Sequence, residues 1–375
     1  MKYVAILLTV LALLAVTAFI IVPAPTEPVI EEDANSGEQV TNEGVAPRVE
    51  VIAEGLEIPW DIAFLPNGSM LVTERTGHVI ELAADGTKKE IPVPGVRQGG
   101  EGGLLGLVLH PDFASNNFVY LYMSTPDTTE QTQNRVVRYV FKDETLTQDK
   151  IIIEGIPGAI YHDGGRMEFG PDDMLYITTG DATSPDIAQN LQSLGGKILR
   201  LTPEGEPAPG NPFNTRVYSY GHRNPQGLAW DSEKQLWATE HGPTGEQGEC
   251  CHDEINLIKK GSNYGWPKIL ANEDAEGIVS PRWESGTDTW APASLVHLNG
   301  SLFFGGLRGE ALYEAVLNGS QVSEIKEHFK GDYGRIRTVR LGPDNLLYIT
   351  TSNTDGRGNP AQGDDKILRV NPELL

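Results

Sequence analysis

Cysteine and positive charge are both scarce in this sequence. Two cysteines among 375 residues exclude a disulfide framework and a zinc site made of four cysteines. Only 29 lysine and arginine residues stand against 52 aspartate and glutamate residues, so the formal net charge is −23. Such a chain is repelled by phosphate backbones and by anionic lipid, which argues against a nucleic-acid partner.

Long stretches rich in leucine, glutamate, lysine and alanine are absent after the N-terminus, which disfavours a helical bundle. The sequence also lacks the GxSxG, Walker A and HExxH motifs, which mark several classes of hydrolase and nucleotide-binding protein. It contains instead 42 glycines and 25 prolines, and this composition favours many short strands joined by turns.

The N-terminus carries an uncharged apolar segment. Residues 3–22 are long enough to span a bilayer, Lys2 precedes them, and an acidic stretch follows. We therefore expect residues 1–22 to be a signal peptide or an N-terminal membrane anchor, with an uncleaved anchor favoured and the rest of the chain outside the cytoplasm. Residues 23–48 are predicted to be a disordered acidic linker, and residues 49–375 to be the folded domain.

The folded part repeats one pattern six times. Each unit is a strand, a Pro-Asp or Asn-Gly turn, a second strand, an irregular loop and a third strand. The six copies begin near Trp60, Leu104, Gly165, Gln226, Ala291 and Arg337. The sequence therefore predicts an all-β protein, a six-bladed β-propeller of four-stranded antiparallel sheets. A β-sandwich is the alternative, but it does not explain the repeated order.

In a propeller, chemistry gathers where loops from several blades meet at the mouth of the channel. Residues 161–166 contain His162, and a neutral histidine is a general base near neutral pH. Residues 220–227 contain Arg223 and Asn224, and arginine binds planar carboxylates through two donors. Each segment also has a structural interpretation, as a loop hydrogen bond or as a blade corner.

Two further segments suggest charged ligands. Residues 240–243 and the acidic positions that follow them, up to Glu254, form an oxygen-rich loop that suits Ca²⁺, although EF-hand spacing is absent. Arg335 and Arg337 would point to the same face of a strand and suggest a polyanionic ligand. A solvated acidic loop and surface salt bridges are the structural alternatives.

The two cysteines, Cys250 and Cys251, are adjacent in the sequence. They either form a vicinal disulfide outside the cytoplasm or remain thiols. A zinc site that combines them with His241 and His252 is disfavoured, because contiguous cysteines are poorly spaced for tetrahedral coordination.

Taken together, the motifs from about residue 51 to residue 370 resemble the soluble aldose sugar dehydrogenase family. The matching segments are GLEIPWDIAFLPNG, GEGGLLGLVLHPDF, HDGGRMEFGPD, GHRNPQGLAW, EHGP, DEINLI, NYGWP, WAPAS and GRIRTV. Members of this family are six-bladed propellers that use pyrroloquinoline quinone (PQQ) and Ca²⁺. The resemblance implies a quinoprotein that oxidises the anomeric carbon of aldose sugars to lactones by hydride transfer to PQQ, with the assistance of Ca²⁺.

The resemblance also implies a role for individual residues. His162 matches the catalytic base, and Arg223 matches the arginine that stabilises negative charge on the quinone oxygen. Gly242 and Pro243 match the positions whose backbone carbonyls hold the active-site Ca²⁺. Further positions that match cofactor contacts are Glu101, Asn224, Arg308, Arg335 and Arg337.

Several positions extend the resemblance or depart from it. Glu254 and Tyr264 imply a second, structural Ca²⁺. Arg308, Glu101 and Tyr161 stand where the glucose dehydrogenase branch has lysine, glutamine and aspartate. These departures leave the redox machinery in place and leave the sugar specificity and the dimer interface open.

The implied partners are an aldose sugar and an external electron acceptor, which would be a quinone, a cytochrome or a dye. Residues 3–22 imply a membrane tether and an extracytoplasmic location. Two other classes of function stay open. A propeller retained as a binding or receptor domain is expected to lose the base or the arginines, which this chain keeps. A Ca²⁺-dependent lactone hydrolase needs a metal ringed by several side-chain carboxylates and amides.

Overall fold

A computed structural model describes residues 47–245, 248, 250–273 and 275–375 of the chain. These residues form six four-stranded antiparallel sheets with almost no helix, which confirms the six-bladed β-propeller predicted from the repeats. The predicted anchor, residues 1–22, and nearly all of the predicted linker lie outside the described residues. Among the residues described, no helix is both long and apolar enough to cross a membrane.

Blades 1 to 3 follow one another along the chain. Blade 1 consists of β2 (Pro59–Phe64), β3 (Met70–Glu74), β4 (His78–Leu82) and β5 (Lys88–Pro92). Blade 2 consists of β6 (Leu104–Leu109), β7 (Phe118–Pro126), β8 (Thr132–Lys142) and β9 (Thr145–Pro157), with a short helix α1 (Phe113–Asn116) between its first two strands. Blade 3 consists of β10 (Met167–Phe169), β11 (Leu175–Thr179), β12 (Lys197–Leu201) and β13 (Val217–Tyr220).

Blades 4 to 6 continue the same order. Blade 4 consists of β14 (Pro225–Trp230), β15 (Leu236–Glu240), β16 (Glu254–Ile258) and β17 (Trp283–Glu284). Blade 5 consists of β18 (Pro292–Leu298), β19 (Ser301–Gly306), β20 (Ala311–Asn318) and β21 (Gln321–His328). Blade 6 consists of β22 (Ile336–Leu341), β23 (Leu347–Thr351), β24 (Ile367–Val370) and β1 (Val49–Ala53). Single 3₁₀ turns occur at Pro185–Gln189, Pro212–Asn214 and Pro372–Leu374.

Blade 6 is completed by the first strand that the structure describes. β1 pairs antiparallel with β24, with Val49 opposite Val370, so residues near the two ends of the domain share one sheet. The first strands of neighbouring blades contact one another around the ring, and β2 of blade 1 meets β22 of blade 6. The closed ring leaves one set of loops at each end of the strands.

The repeated turn between the first two strands has the same chemistry in blades 3 and 6. The Asp172 carboxylate accepts hydrogen bonds from the amide of Met174 and from the hydroxyl of Tyr176. Asp344 accepts the equivalent bonds from Leu346 and Tyr348 in blade 6. Because the carboxylate satisfies both the turn and the next strand, the Pro-Asp signal in the sequence predicts these hairpins well.

Paired charges fill the centre of the ring. Arg166 lies 2.6 Å from Asp61, Arg340 lies 2.9 Å from the same carboxylate, and both Arg166 and Asp61 are fully buried. Arg340 also pairs with Glu168. These residues come from blades 1, 3 and 6, so the ion pairs tie three blades together.

Candidate active site

The sequence-predicted residues meet at the end of the propeller where first strands begin and second strands end. Because those strands are antiparallel, the loops before β10, β14 and β22 lie beside the loops after β11 and β15. They line a cavity of about 840 Å³. Its walls are formed by Glu101, Tyr161, His162, Arg223, His241, Thr244, Thr289, Ala291, Leu307, Arg308, Glu310, Arg335 and Arg357.

His162 forms a pair with Asp181, a residue that the sequence analysis did not single out. Its Nδ1 lies 2.7 Å from Asp181 Oδ1, while Asp181 Oδ2 accepts a hydrogen bond from Trp266 Nε1 at 2.8 Å. Because the other carboxylate oxygen already accepts from Trp266, the contact between Nδ1 and Oδ1 is read as a hydrogen bond donated by Nδ1–H, which places the ring proton on Nδ1. Nε2 is then the basic nitrogen of the ring. Asp181 follows β11 after one intervening glycine, in a loop at the mouth of the channel, where chemistry is expected in a propeller.

Glu101 lies beside this pair and holds its backbone. One carboxylate oxygen accepts the amide of His162 at 2.9 Å, and the other accepts Arg357 Nη1 at 2.8 Å. Burial by itself would raise its pKa, but His241, the Arg357 contact and the His162 amide lower the pKa of Glu101 to about 2. Glu101 is therefore an anion at every working pH, unlike the neutral glutamine of the related branch.

Arg223 and Asn224 enter the site from the loop before β14. The amide of Arg223 donates to Glu240, and its guanidinium lies 3.4 Å from the carbonyl of His241 and 5.5 Å from the ring centre of Trp266. Asn224 Oδ1 accepts the amide of Gly164 at 3.1 Å. Its Nδ2 is buried and makes no hydrogen bond to the residues described.

His241 is a second histidine at the cavity, which the sequence analysis considered only for zinc. Burial, reinforced by Arg223 and Arg337, lowers the pKa of His241 to about 3, so the ring is neutral. Its Nε2 is buried and makes no hydrogen bond within the described part of the chain. The same residues contain no group of three or more metal-ligating side chains around it, and Cys250 and Cys251 are joined as a disulfide.

Gly242 and Pro243 present backbone carbonyls rather than side chains. The Gly242 amide donates to Asp253 at 3.0 Å, and a Cβ atom at this position would collide with the carbonyl oxygen of Cys251. Both residues are buried, and neither carbonyl accepts a hydrogen bond from the residues described. Asp253 also accepts the amide of Trp290 at 2.6 Å, which fixes the loop against blade 5.

Glu254 and Tyr264 line a small cavity that Gly242 and Pro243 also line. Burial, together with the neighbouring Glu240, raises the pKa of Glu254 well above its ordinary value. The Tyr264 hydroxyl donates to the Leu257 carbonyl at 2.7 Å and also accepts a backbone amide. Because the hydroxyl already has both partners, the backbone carbonyl of Tyr264 is the atom of this residue that could bind a metal ion.

Three further arginines predicted to bind the cofactor differ in their hydrogen-bond partners and in their exposure. Arg335 pairs with Asp355 at 2.8 Å and also donates to the Leu307 carbonyl at 2.8 Å. Arg337 is buried, its Nε makes no hydrogen bond to the residues described, and burial, with Arg75 nearby, lowers its pKa to about 9. Arg308 is exposed at the rim of the cavity.

Comparison with known proteins identifies relatives over most of the chain. The glucose/sorbosone dehydrogenase family matches residues 56–368. An aldose sugar dehydrogenase of Escherichia coli is 33% identical over 359 residues, which cover 86% of this chain and 92% of that protein.

Two solved structures are closer in sequence. An oxidoreductase from Thermus thermophilus, described as a putative glucose dehydrogenase, is 46% identical with a TM-score of 0.82, covering 86% of this chain and 99% of that one. The PQQ-bound aldose sugar dehydrogenase of Streptomyces coelicolor is 43% identical with a TM-score of 0.80, covering 87% and 99% of the two chains. The chain belongs to the glucose/sorbosone dehydrogenase family.

Proposed function

We propose that this protein is a PQQ-dependent aldose sugar dehydrogenase that oxidises the anomeric carbon of its substrate to a lactone. The observation that carries the proposal is the His162–Asp181 pair, which lies in the same cavity as Arg223, Arg308 and Arg335. A base and a positively charged acceptor site are the two requirements for removing a proton and a hydride from one carbinol.

The polar groups around the cavity suit PQQ, which carries three carboxylates. Asn224 Nδ2 and Arg337 Nε are buried donors without protein acceptors among the residues described, and His241 Nε2 is likewise unpaired. Arg308 supplies an exposed positive charge at the rim. We assign PQQ binding to Glu101, Arg223, Asn224, Arg308, Arg335 and Arg337. When bound, PQQ supplies the hydride acceptor.

A calcium ion fits beside this site. The buried carbonyls of Gly242 and Pro243 lack hydrogen-bond donors among the described residues, and carbonyl oxygens are preferred Ca²⁺ ligands. The ion would add positive charge where the acceptor is polarised. A second, structural Ca²⁺ would take the Glu254 carboxylate and the Tyr264 carbonyl, because both residues line one small cavity.

In the proposed reaction, four residues of this chain have separate roles. His162 Nε2 removes the proton of the anomeric hydroxyl, and Asp181 stabilises the imidazolium that forms. The Arg223 guanidinium places positive charge where negative charge develops on the acceptor. Glu101 accepts the His162 amide and so keeps the ring in place.

We further propose an extracytoplasmic location, with residues 3–22 as a membrane tether and an external quinone, cytochrome or dye as the final acceptor. The apolar, uncharged sequence of residues 3–22 supports this location, and so does the disulfide between Cys250 and Cys251. A disulfide of this kind persists in oxidising compartments.

Reconstitution tests the proposed function. Purified protein is mixed with PQQ and Ca²⁺, and reduction of an electron-accepting dye is followed as aldose sugars are added. Sugar-dependent reduction that needs both additions is the expected result. Binding of sugar without any reduction would instead favour the receptor alternative, and opening of a lactone without dye reduction would favour the hydrolase.

A further inference from the structure

A buried lysine near the active site has no carboxylate partner among the residues that the structure describes. Lys197 begins β12 and is fully buried. Its ammonium donates to three backbone carbonyls, those of Ile187 at 2.9 Å, Ala188 at 3.0 Å and Gly195 at 2.6 Å. The three protons of the ammonium thus have three acceptors. Burial lowers the pKa of Lys197 to about 7, and the three carbonyls are the hydrogen-bond acceptors that the charged form requires.

The carbonyls belong to one loop, residues 180–196, which joins β11 to β12 and carries Asp181. The Ala188 carbonyl also accepts the amide of Gly221 at 3.0 Å, on the segment that leads to Arg223. The amide of Asp181 donates to the carbonyl of Arg223 at 2.8 Å. The ammonium is therefore connected to the Arg223 segment through the Ala188 carbonyl, which it shares with the Gly221 amide, and to Asp181 through the backbone of the same loop.

The same loop also holds the tryptophan that contacts Asp181. Gln189 Nε2 donates to the Trp266 carbonyl at 2.6 Å, and Trp266 Nε1 donates to Asp181 Oδ2 at 2.8 Å. A shift of the loop would move Asp181 and its second donor together. Since a displacement of about 1 Å in a catalytic group costs up to about 10²-fold in rate, the position of this loop matters for catalysis.

A second copy of the same sequence motif in this chain shows that the motif by itself does not place its lysine among backbone carbonyls. Blade 6 repeats GKILRL as DKILRV, so Lys366 is the counterpart of Lys197. Lys366 pairs with Glu54 at 3.0 Å instead, and its side chain is 21% exposed. The three-carbonyl arrangement thus distinguishes Lys197, in the blade that carries the His162–Asp181 pair, from its counterpart in blade 6.

We propose that Lys197 is a positioning residue for the active site, whose ammonium gathers the Ile187, Ala188 and Gly195 carbonyls and thereby fixes Asp181 and the Arg223 segment. The catalytic part of this inference rests on the proposed sugar oxidation. Lys197 itself contacts neither cavity, so its effect reaches the reaction through the loop.

The test compares Lys197→Met, which keeps the side-chain length without charge, with Lys366→Met as the matched control. In the full-length protein loaded with PQQ and Ca²⁺, Lys197→Met should lower kcat by about 10- to 100-fold with KM little changed. Lys366→Met should retain wild-type kcat. Unchanged kcat in folded Lys197→Met protein would overturn the proposal.

A second variant separates the charge from simple packing. Lys197→Ala opens space in front of the three carbonyls, so added ammonium or methylammonium ions should restore part of kcat in this variant. They should not restore Lys197→Met, in which the side chain fills the space. Loss of kcat in both variants without any rescue by ammonium would assign Lys197 a packing role only and would overturn the proposal.

Hydrogen exchange gives a readout that does not depend on sugar oxidation. Amides of residues 180–196 and 219–224 should exchange faster in Lys197→Ala, and ammonium should restore their protection, while blade 1 stays unchanged. If wild-type protein fails to oxidise any aldose, the proposed function fails while this measurement still tests the loop. Wild-type protection of both segments in Lys197→Ala would overturn the positioning role.

Discussion

His162 and Asp181 are 19 positions apart in sequence, yet their side chains are 2.7 Å apart at the mouth of the propeller. β10 and β11 lie between them and pair as a hairpin, so the loop before the first strand meets the loop after the second. Such an imidazole–carboxylate pair fixes the tautomer of the base. The neighbouring arginines then determine which reaction the base can serve.

Replacing the proposed base should abolish most of the turnover and leave the fold intact. His162 lies on a loop outside the strands, so His162→Ala should still fold, with a lower unfolding temperature because the buried Asp181 loses one partner. Turnover should fall by about 10²- to 10⁴-fold, which is the usual share of general-base catalysis. PQQ affinity should change little. Near-native turnover in dye-reduction assays would remove His162 from its role.

Replacing Asp181 should impair catalysis through the tautomer of His162. Asp181→Asn keeps the size of the side chain but offers an amide, so the proton is no longer fixed on Nδ1. We expect kcat to fall by about 10²-fold or more. Asp186→Asn changes an exposed aspartate on the same loop and should have wild-type kcat. Equal kcat in the two variants would show that Asp181 does not orient the base.

The buried carboxyl of Asp163 should make the stability of the folded protein depend on pH, and a single substitution can isolate its contribution. Burial raises the pKa of this carboxyl from 3.8 to about 6. Between these two values the folded state binds more protons than the unfolded state, so the contribution of Asp163 to stability is lost as pH rises through 6.

The isosteric Asp163→Asn variant removes this titration. Its unfolding free energy relative to wild type should therefore increase by about 2–3 kcal/mol between pH 4 and pH 7. Denaturant unfolding of protein without cofactor at several pH values measures the difference. Glu154→Gln, at an exposed strand position, serves as the control. A difference that is independent of pH would mean that Asp163 is not protonated in the folded protein near pH 5.

Cofactor affinity should depend on both Arg337 and the metal. Loss of a charge-assisted contact in Arg337→Ala should weaken PQQ binding by about 1–3 kcal/mol, and excess PQQ should restore much of the turnover. Chelating Ca²⁺ should weaken binding as well. Arg216→Ala, at a site where Nε donates to the Gly205 carbonyl outside the cavity, should bind PQQ as wild type does. Equal affinity in every titration, with and without chelator, would contradict the assigned site.

The N-terminal segment should be dispensable for catalysis. None of the assigned residues precedes Glu101, and the first described strand begins at Val49. Protein that starts at residue 47 should therefore be soluble and bind PQQ with full affinity, because β1 remains available to pair with β24. Failure of this truncated chain to fold would place the domain boundary earlier in the sequence.

The fold could be predicted from the sequence because the Pro-Asp and Asn-Gly turns recur between alternating strands, and each turn is satisfied locally, as at Asp172. The completion of blade 6 by β1 could not be predicted from the sequence, because Val49 and Val370 meet only when the ring closes. His162 and Arg223 stand in recognisable motifs. Asp181 stands in no such motif, and its role becomes visible only when folding places it beside the His162 ring.

Other parts of the site depend on three-dimensional packing that no local pattern reveals. Arg357 reaches Glu101 across 256 residues of sequence, and Trp266 reaches Asp181 across 85. Lys197 and Lys366 occupy the same place in their repeats but have different partners, so the motif predicts the strand and not the environment of the lysine.

Oxidation of an aldose deuterated at C1 by PQQ-loaded wild-type protein is the most direct measurement of the proposed chemistry. If His162 takes the hydroxyl proton while the C1 hydrogen leaves as hydride, single-turnover reduction should slow several-fold with the deuterated sugar. The lactone produced should carry no deuterium. Failure of any aldose to reduce the loaded protein, or a product that still carries the label at C1, would contradict anomeric oxidation at this site.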